Sequence, residues 1–195
     1  MKGSNVLKLP ILLGSASPRR KHLLQEAGFR FRVVPADIDE VFPEDMPPRE
    51  VPVFLAEKKA EALAKQREKG EIILTADSVV ILKNQVLGKP NQREEAVEML
   101  MLLSGRPHEV ITGVTLLNET KKVSFSALSR VHFSSFSLEE VEYYVDHYKP
   151  YDKAGSYGIQ EWLGWCKVVQ IEGSYSNIMG LPVAMVYDRL HDFLR

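Results

Sequence analysis

The chain has one cysteine in 195 residues, no apolar run long enough to span a bilayer and no surplus of charge of either sign. Each shortage closes off a class of function. Cys166 alone excludes an internal disulfide and an all-cysteine zinc site. Basic and acidic side chains number 25 and 26, for a formal net charge of −1. Neither a basic stripe nor a polybasic tail is present, so nucleic acid and membrane are not expected as partners. Internal repeats and low-complexity linkers are missing. His22, His132, His147 and His191 have no ligand spacing to one another, which argues against zinc. Met1 to Asn5 lead into a strand-sized apolar run with no h-region or small-residue cleavage site, so a cytoplasmic enzyme or binding protein is expected. What is present, 45% hydrophobic and 26% charged residues, suits one globular domain, or two lobes around one cleft.

Strand and helix patterns alternate along the chain. Residues 9–14 read as strand, 18–28 as a helix stopped by Gly28, and 29–34 as an alternating strand. An amphipathic helix over 49–69 closes at Gly70, and 71–82 is the most buried-looking strand. A helix at 92–103 precedes strands at 108–118 and 122–134, joined by the turn Asn118-Glu119-Thr120-Lys121. Ser137-Leu138-Glu139-Glu140 is a capping box that opens a helix to about 147. The loop Tyr148 to Ser156 reads as long and polar. Strands near 165–172 follow, with Cys166 expected as a small packed side chain in Gly164–Val169, and Leu181-Pro182 opens a final helix to the C-terminus. The hairpin at 118–122 points to an α/β fold with a large mixed sheet.

Four features carry chemistry. Ser15-Ala16-Ser17-Pro18-Arg19-Arg20 follows the apolar run Leu9–Leu13, with Ser17 placed as N-cap and Pro18 at the first helical position. A helix N-terminus beside paired arginines favours phosphate, although the same hexapeptide also describes a capped helix with two solvated arginines. Asp77 interrupts an apolar run, so it faces a cation, a metal or a solvated cleft, or accepts backbone N–H bonds. Glu40, in the acidic patch Asp37-Ile38-Asp39-Glu40, could join Asp77 in holding a hard divalent ion on phosphate oxygens. Lys59 and Lys89 would then neutralise phosphate charge; read singly, each is a surface lysine.

These segments, with Leu103-Ser104-Gly105-Arg106-Pro107-His108, Asp152-Lys153-Ala154-Gly155-Ser156-Tyr157-Gly158-Ile159-Gln160 and Glu172–Pro182, stand in the order found in the Maf family of nucleoside triphosphate pyrophosphatases. The resemblance spans nearly the whole chain as a single domain, 1–195. It implies an elongated two-lobed α/β fold similar to inosine triphosphate pyrophosphatases, with the active-site cleft between the lobes. It also implies metal-dependent hydrolysis of a nucleoside triphosphate, with Mg, Mn or Co as cofactor, and often a homodimer.

By position, the family's proton acceptor falls on Asp77 and its acidic metal partner on Glu40. Phosphate contacts fall on Ser15, Lys59, Lys89 and the pair Arg19 and Arg20, with the choice between the arginines left open. Specificity positions fall on Arg19, Ser78 and Gln160. The Tyr157-Gly158-Ile159-Gln160 run resembles the branch acting on dTTP and UTP rather than on 7-methyl-GTP. A glutamine amide offers the donor and acceptor that a uracil or thymine edge asks for, though Gln160 could instead satisfy a nearby backbone. Ser78 stands for the family's usual threonine, and Glu161-Trp162-Leu163-Gly164-Trp165 departs from its glycine-rich pattern. His108 is expected to order its loop. The family's description as a septum-formation inhibitor leaves a nucleotide-binding regulator of cell division as the alternative.

Overall fold

The structure, a computed structural model, describes residues 6–193; Met1–Asn5 and the expected end of the final helix at 194–195 lie outside them. Among the described residues seven strands form one mixed sheet: β1 (Ile11–Leu13), β2 (Phe31–Val33), β3 (Ile72–Leu82), β4 (Gln85–Leu87), β5 (Pro107–Leu117), β6 (Lys122–Phe133) and β7 (Val168–Glu172). Their order is β2-β1-β3-β5-β6-β7, with β4 paired to β3. β1 runs parallel to both β2 and β3, Ile11 standing opposite Phe31 and Ile72. The β3/β4 and β6/β7 pairs are antiparallel. Parallel strands are covered on both faces, which is why β1 and most of β3 are continuous apolar runs rather than alternating ones.

The chain divides into two compact units. The first comprises Met1–Asp77, Thr112–Ala127 and Gly180–Arg195. Its helices are α1 (Pro18–Glu26), α2 (Val51–Leu63) and α7 (Val183–Phe193). Ser17 caps α1 through its side chain, which accepts from Arg20 N, and Pro18 occupies the first turn. Along α2 the buried positions Leu55, Ala56, Lys59, Ala60 and Leu63 follow a helical period, so Lys59 is the charged member of an apolar stripe. Thr75 on β3 donates its hydroxyl to Ala56 O at 2.6 Å, fixing α2 against the strand. Gly113 in β5 lies against the start of α2: a Cβ there would stand 2.3 Å from the Pro52 carbonyl carbon and from Val53 N.

The second unit comprises Ser78–Ile111 and Leu128–Met179. It holds α3 (Arg93–Leu103), α4 (Leu138–Tyr148), α5 (Trp162–Cys166) and α6 (Tyr175–Met179). The capping box forms, with Ser137 Oγ accepting from Glu140 N and Glu140 Oε2 from Ser137 N. α4 buries Val141, Tyr144 and Val145. One expectation is corrected. Cys166 is exposed and lies on α5, not in a strand, because Trp165 N and Lys167 N donate to the carbonyls of Glu161 and Leu163; strand pairing begins only at Val168. The loop after Tyr148 is polar but largely buried from Lys153 onward, because its charges are paired inside it.

Candidate functional site

In the first unit the acidic loop, α2 and β3 meet at one ammonium. Lys59 Nζ stands 2.6 Å from Glu40 Oε1 and 2.6 Å from Asp77 Oδ1. Lys59 and Asp77 are 7% and 8% exposed, so the charge that interrupts β3 is compensated by one that interrupts the apolar stripe of α2. Lys58, which the sequence did not single out, donates to the carbonyls of Asp39 at 2.8 Å and Val41 at 3.5 Å. The two consecutive lysines therefore hold the acidic loop by its backbone and by its carboxylate. Helical phase could have identified Lys59 as the inward one; nothing in the sequence marks Lys58.

The arginine loop belongs to the same unit. Ser15 Oγ accepts from Ser17 N and from Arg20 Nη1, each at 3.2 Å, and Arg20 Nε donates to Gly180 O at 2.7 Å. Burial pushes the Arg20 guanidinium below its ordinary value, while Asp77 and Glu40 push it back up. Arg20 is thus a charged, anchored group within electrostatic reach of both carboxylates. Arg19, the preceding residue, is half-buried and adds positive potential at Arg20.

The second unit holds Ser78, Lys89 and Gln160. Ser78 follows Asp77 on β3 and is half-buried; successive strand residues face opposite ways, so the two do not share a face. Lys89 is exposed in the turn after β4, whose Gly88 carbonyl accepts from Gly155 N at 3.0 Å. Gln160 accepts at its backbone carbonyl from Trp165 Nε1 at 2.9 Å, while its side-chain Oε1 is buried with no hydrogen-bond partner among the described residues.

The segment leading to Gln160 is tied down by groups whose roles were not foreseen. Lys153 Nζ lies 2.7 Å from Asp152 Oδ1 and 3.1 Å from Glu161 Oε1. Tyr144 donates its hydroxyl to Glu161 Oε2 in a short hydrogen bond and accepts from Gly158 N at 3.0 Å. Burial and the Glu161 carboxylate raise the Tyr144 hydroxyl well above its ordinary value, so it remains a donor. His108, expected to order its own loop, lies on β5 and instead bonds this segment: its Nε2 lies 2.7 Å from the Tyr157 hydroxyl. Burial pushes the His108 imidazole down to about 4. Asn177, in the last matched motif, donates to Val110 O and Ser129 Oγ, which is a structural use.

Among the described residues no helix is long and apolar enough to cross a membrane, and no three His, Cys, Asp or Glu side chains cluster as metal ligands. The profile of the family described as Maf-like protein matches residues 10–193. A dTTP/UTP pyrophosphatase of Porphyromonas gingivalis is 48% identical over 196 residues, covering 97% of this chain and 96% of the relative. Proteins of the same description from Bacteroides thetaiotaomicron and Flavobacterium johnsoniae are 47% and 42% identical, covering 95% and 94% of this chain and 97% and 94% of their own lengths. Among solved structures, the Ham1 protein of Staphylococcus aureus is similar in fold, with a TM-score of 0.50 at 14% identity over 94% of this chain and 99% of that one.

Proposed function

The chain belongs to the Maf-like protein family, and from that premise we propose that it hydrolyses dTTP and UTP to the monophosphate and pyrophosphate. Relatives with that description, 42% to 48% identical over nearly the whole chain, support the activity. The observation that carries it is the Glu40–Lys59–Asp77 cluster beside the Ser15–Arg20 loop. A binding protein gains nothing from two carboxylates facing a polyanion; a hydrolase needs one of them as a base.

Water attacks the α-phosphorus, the bond from that phosphorus to the α,β-bridging oxygen breaks, and Asp77 takes the water's proton. Lys59 holds the Asp77 carboxylate in place through its bond to Oδ1. Arg20, fixed by Ser15 and Gly180, presents a permanent charge to the phosphates, and Arg19 and Lys89 supply further cations against charge growing on the departing pyrophosphate. Glu40 and Asp77 suit a hard divalent ion such as Mg²⁺, which needs only one or two protein carboxylates when water and phosphate oxygens complete its shell. Bound there, Mg, Mn or Co would acidify water and screen phosphate charge.

The base is read by Gln160, with Ser78 lending a hydroxyl. The buried, unpartnered Oε1 of Gln160 supports this: it can accept the N3–H of uracil or thymine while the amide nitrogen donates to O4. Work on the free nucleotide pool puts the enzyme in the cytoplasm.

The test is pyrophosphate release from UTP, dTTP, GTP and 7-methyl-GTP with Mg²⁺, Mn²⁺ or Co²⁺. UTP and dTTP are expected to react, and Asp77→Asn to lose about 1,000-fold in kcat while staying folded, with a modestly lowered melting temperature because Lys59 keeps Glu40 as a partner. No release from any triphosphate would sink the enzymatic reading, and turnover of 7-methyl-GTP but not UTP would overturn the base assignment.

A further inference from the structure

We propose that Glu161 is a positioning residue for base selection: it closes a buried lock that fixes the backbone on both sides of Gln160, so that the amide meets the base in one orientation. This rests on the pyrimidine reading above and deepens it.

Glu161 is gripped at both oxygens, by Lys153 at Oε1 and by the Tyr144 hydroxyl at Oε2. The same hydroxyl accepts the Gly158 amide, so one carboxylate joins the start of the segment, its middle and helix α4. Gly158 makes room for it, since a Cβ there would stand 2.6 Å from Glu161 Cδ. Trp165 Nε1 then holds the Gln160 carbonyl, on the peptide joining Gln160 to Glu161. Gln160 therefore has a backbone secured on either side and a side-chain oxygen left over. Lys153 is 9% exposed and its charge is matched by Asp152 and Glu161. A saturated network of this kind tolerates little movement.

Several features set this apart from ordinary packing. Neither Lys153 nor Glu161 is placed on the phosphates, so the lock acts on recognition of the base and not on the bond that breaks. Glu161→Gln keeps the shape and can still accept from Tyr144, but it removes the charge that answers Lys153. A misplacement of the amide by a fraction of an ångström is enough to cost affinity.

The experiment compares wild type, Glu161→Gln, Glu161→Asp and Trp165→Phe. Readouts are kcat and KM for UTP and GTP, melting temperature, and hydrogen exchange at the Gly158 amide. For Glu161→Gln, KM for UTP is expected to rise about tenfold with kcat within about twofold, and the preference for UTP over GTP to fall about tenfold. Gly158 exchange should quicken, Trp165→Phe should shift KM in the same direction by less, and Glu161→Asp should restore part of the preference. An equal loss on UTP and GTP, or an unchanged preference, overturns the lock. A wild type that prefers a purine triphosphate overturns the pyrimidine reading alone, and the lock is then judged by whether Glu161→Gln erodes that preference. A wild type that turns over nothing sinks the enzymatic reading, and unchanged Gly158 exchange in Glu161→Gln would sink the lock as well.

Discussion

Lys59 and Lys153 are the same functional group in nearly the same predicament. They are 7% and 9% exposed, and each ammonium lies between two carboxylates. Their partners differ in reach and in saturation. Lys59 gathers a loop and a strand whose carboxylates lie 19 and 18 residues away, and among the described residues Asp77 takes only the bond from Lys59, leaving Oδ2 for another ligand. Lys153 pairs with its neighbour Asp152 and with Glu161, whose second oxygen is already taken by Tyr144. Burial and charge are therefore poor guides to reactivity taken alone. Spare bonding capacity is what would separate a cluster fit for chemistry from one that holds a shape.

Exchanging each lysine for methionine tests that distinction most severely. Lys59→Met leaves the buried Asp77 charge with only the more distant Arg20 to answer it; kcat should fall about 100-fold and stability by about 2 kcal/mol, less than for a fully enclosed pair because Glu40 is half in water. Lys153→Met should cost about as much stability, with kcat kept within about threefold and KM for UTP raised. Steady-state kinetics beside denaturant melts read both, and a kcat collapse in Lys153→Met would erase the contrast.

Acid probes the second unit through His108. Its unfolded imidazole titrates near 6.5 and its folded one near about 4, so in that interval the unfolded chain binds the additional proton. Stability contributed by the neutral ring is complete above pH 6.5 and drains away as pH falls towards 4, by on the order of 3 kcal/mol. His108→Gln should flatten that slope in denaturant melts at pH 7 and pH 4.5. Because the ring holds Tyr157 in the segment proposed to read the base and stays neutral in the folded chain until about pH 4, KM for UTP should hold through most of that window and worsen only as pH nears 4.

The smallest effect belongs to Lys58. Its bonds to Asp39 and Val41 are exposed, so Lys58→Ala should lower kcat by about threefold and leave the melting temperature within error, since exposed polar ties contribute about 1 kcal/mol or less. An effect as large as that of Lys59→Met would mean that the acidic loop is held by its backbone and not by its carboxylate.

The first of these two regions was far more legible in the sequence than the second. Asp77 announces itself because a carboxylate inside an apolar run has to be answered, and Lys59 sits where the period of α2 turns inward. Ser17 and Ser137 declare their helices through local capping chemistry that needs no tertiary knowledge. The Asp152–Glu161 segment misleads for the opposite reason: its composition is that of a solvated loop, and it is buried only because its charges find one another and Tyr144 in three dimensions. Helix α5 is too short to display a period, and Val168-Val169 just beyond it suggested a strand that begins too early. Lys58 was invisible, because its partners are backbone oxygens and carry no side-chain signature.

Gly113 gives this protein a hidden fragility. The residue touches no candidate catalytic group, yet any side chain there would press on the backbone at Pro52 and Val53. From Pro52 to Lys59 the helix acts as a stiff lever of about two turns, ~10 Å, so a push at one end is delivered to the ammonium at the other. Among naturally drifting copies of this gene, a single methyl at position 113 would look harmless and would disturb the candidate site while leaving all of that site's own residues intact.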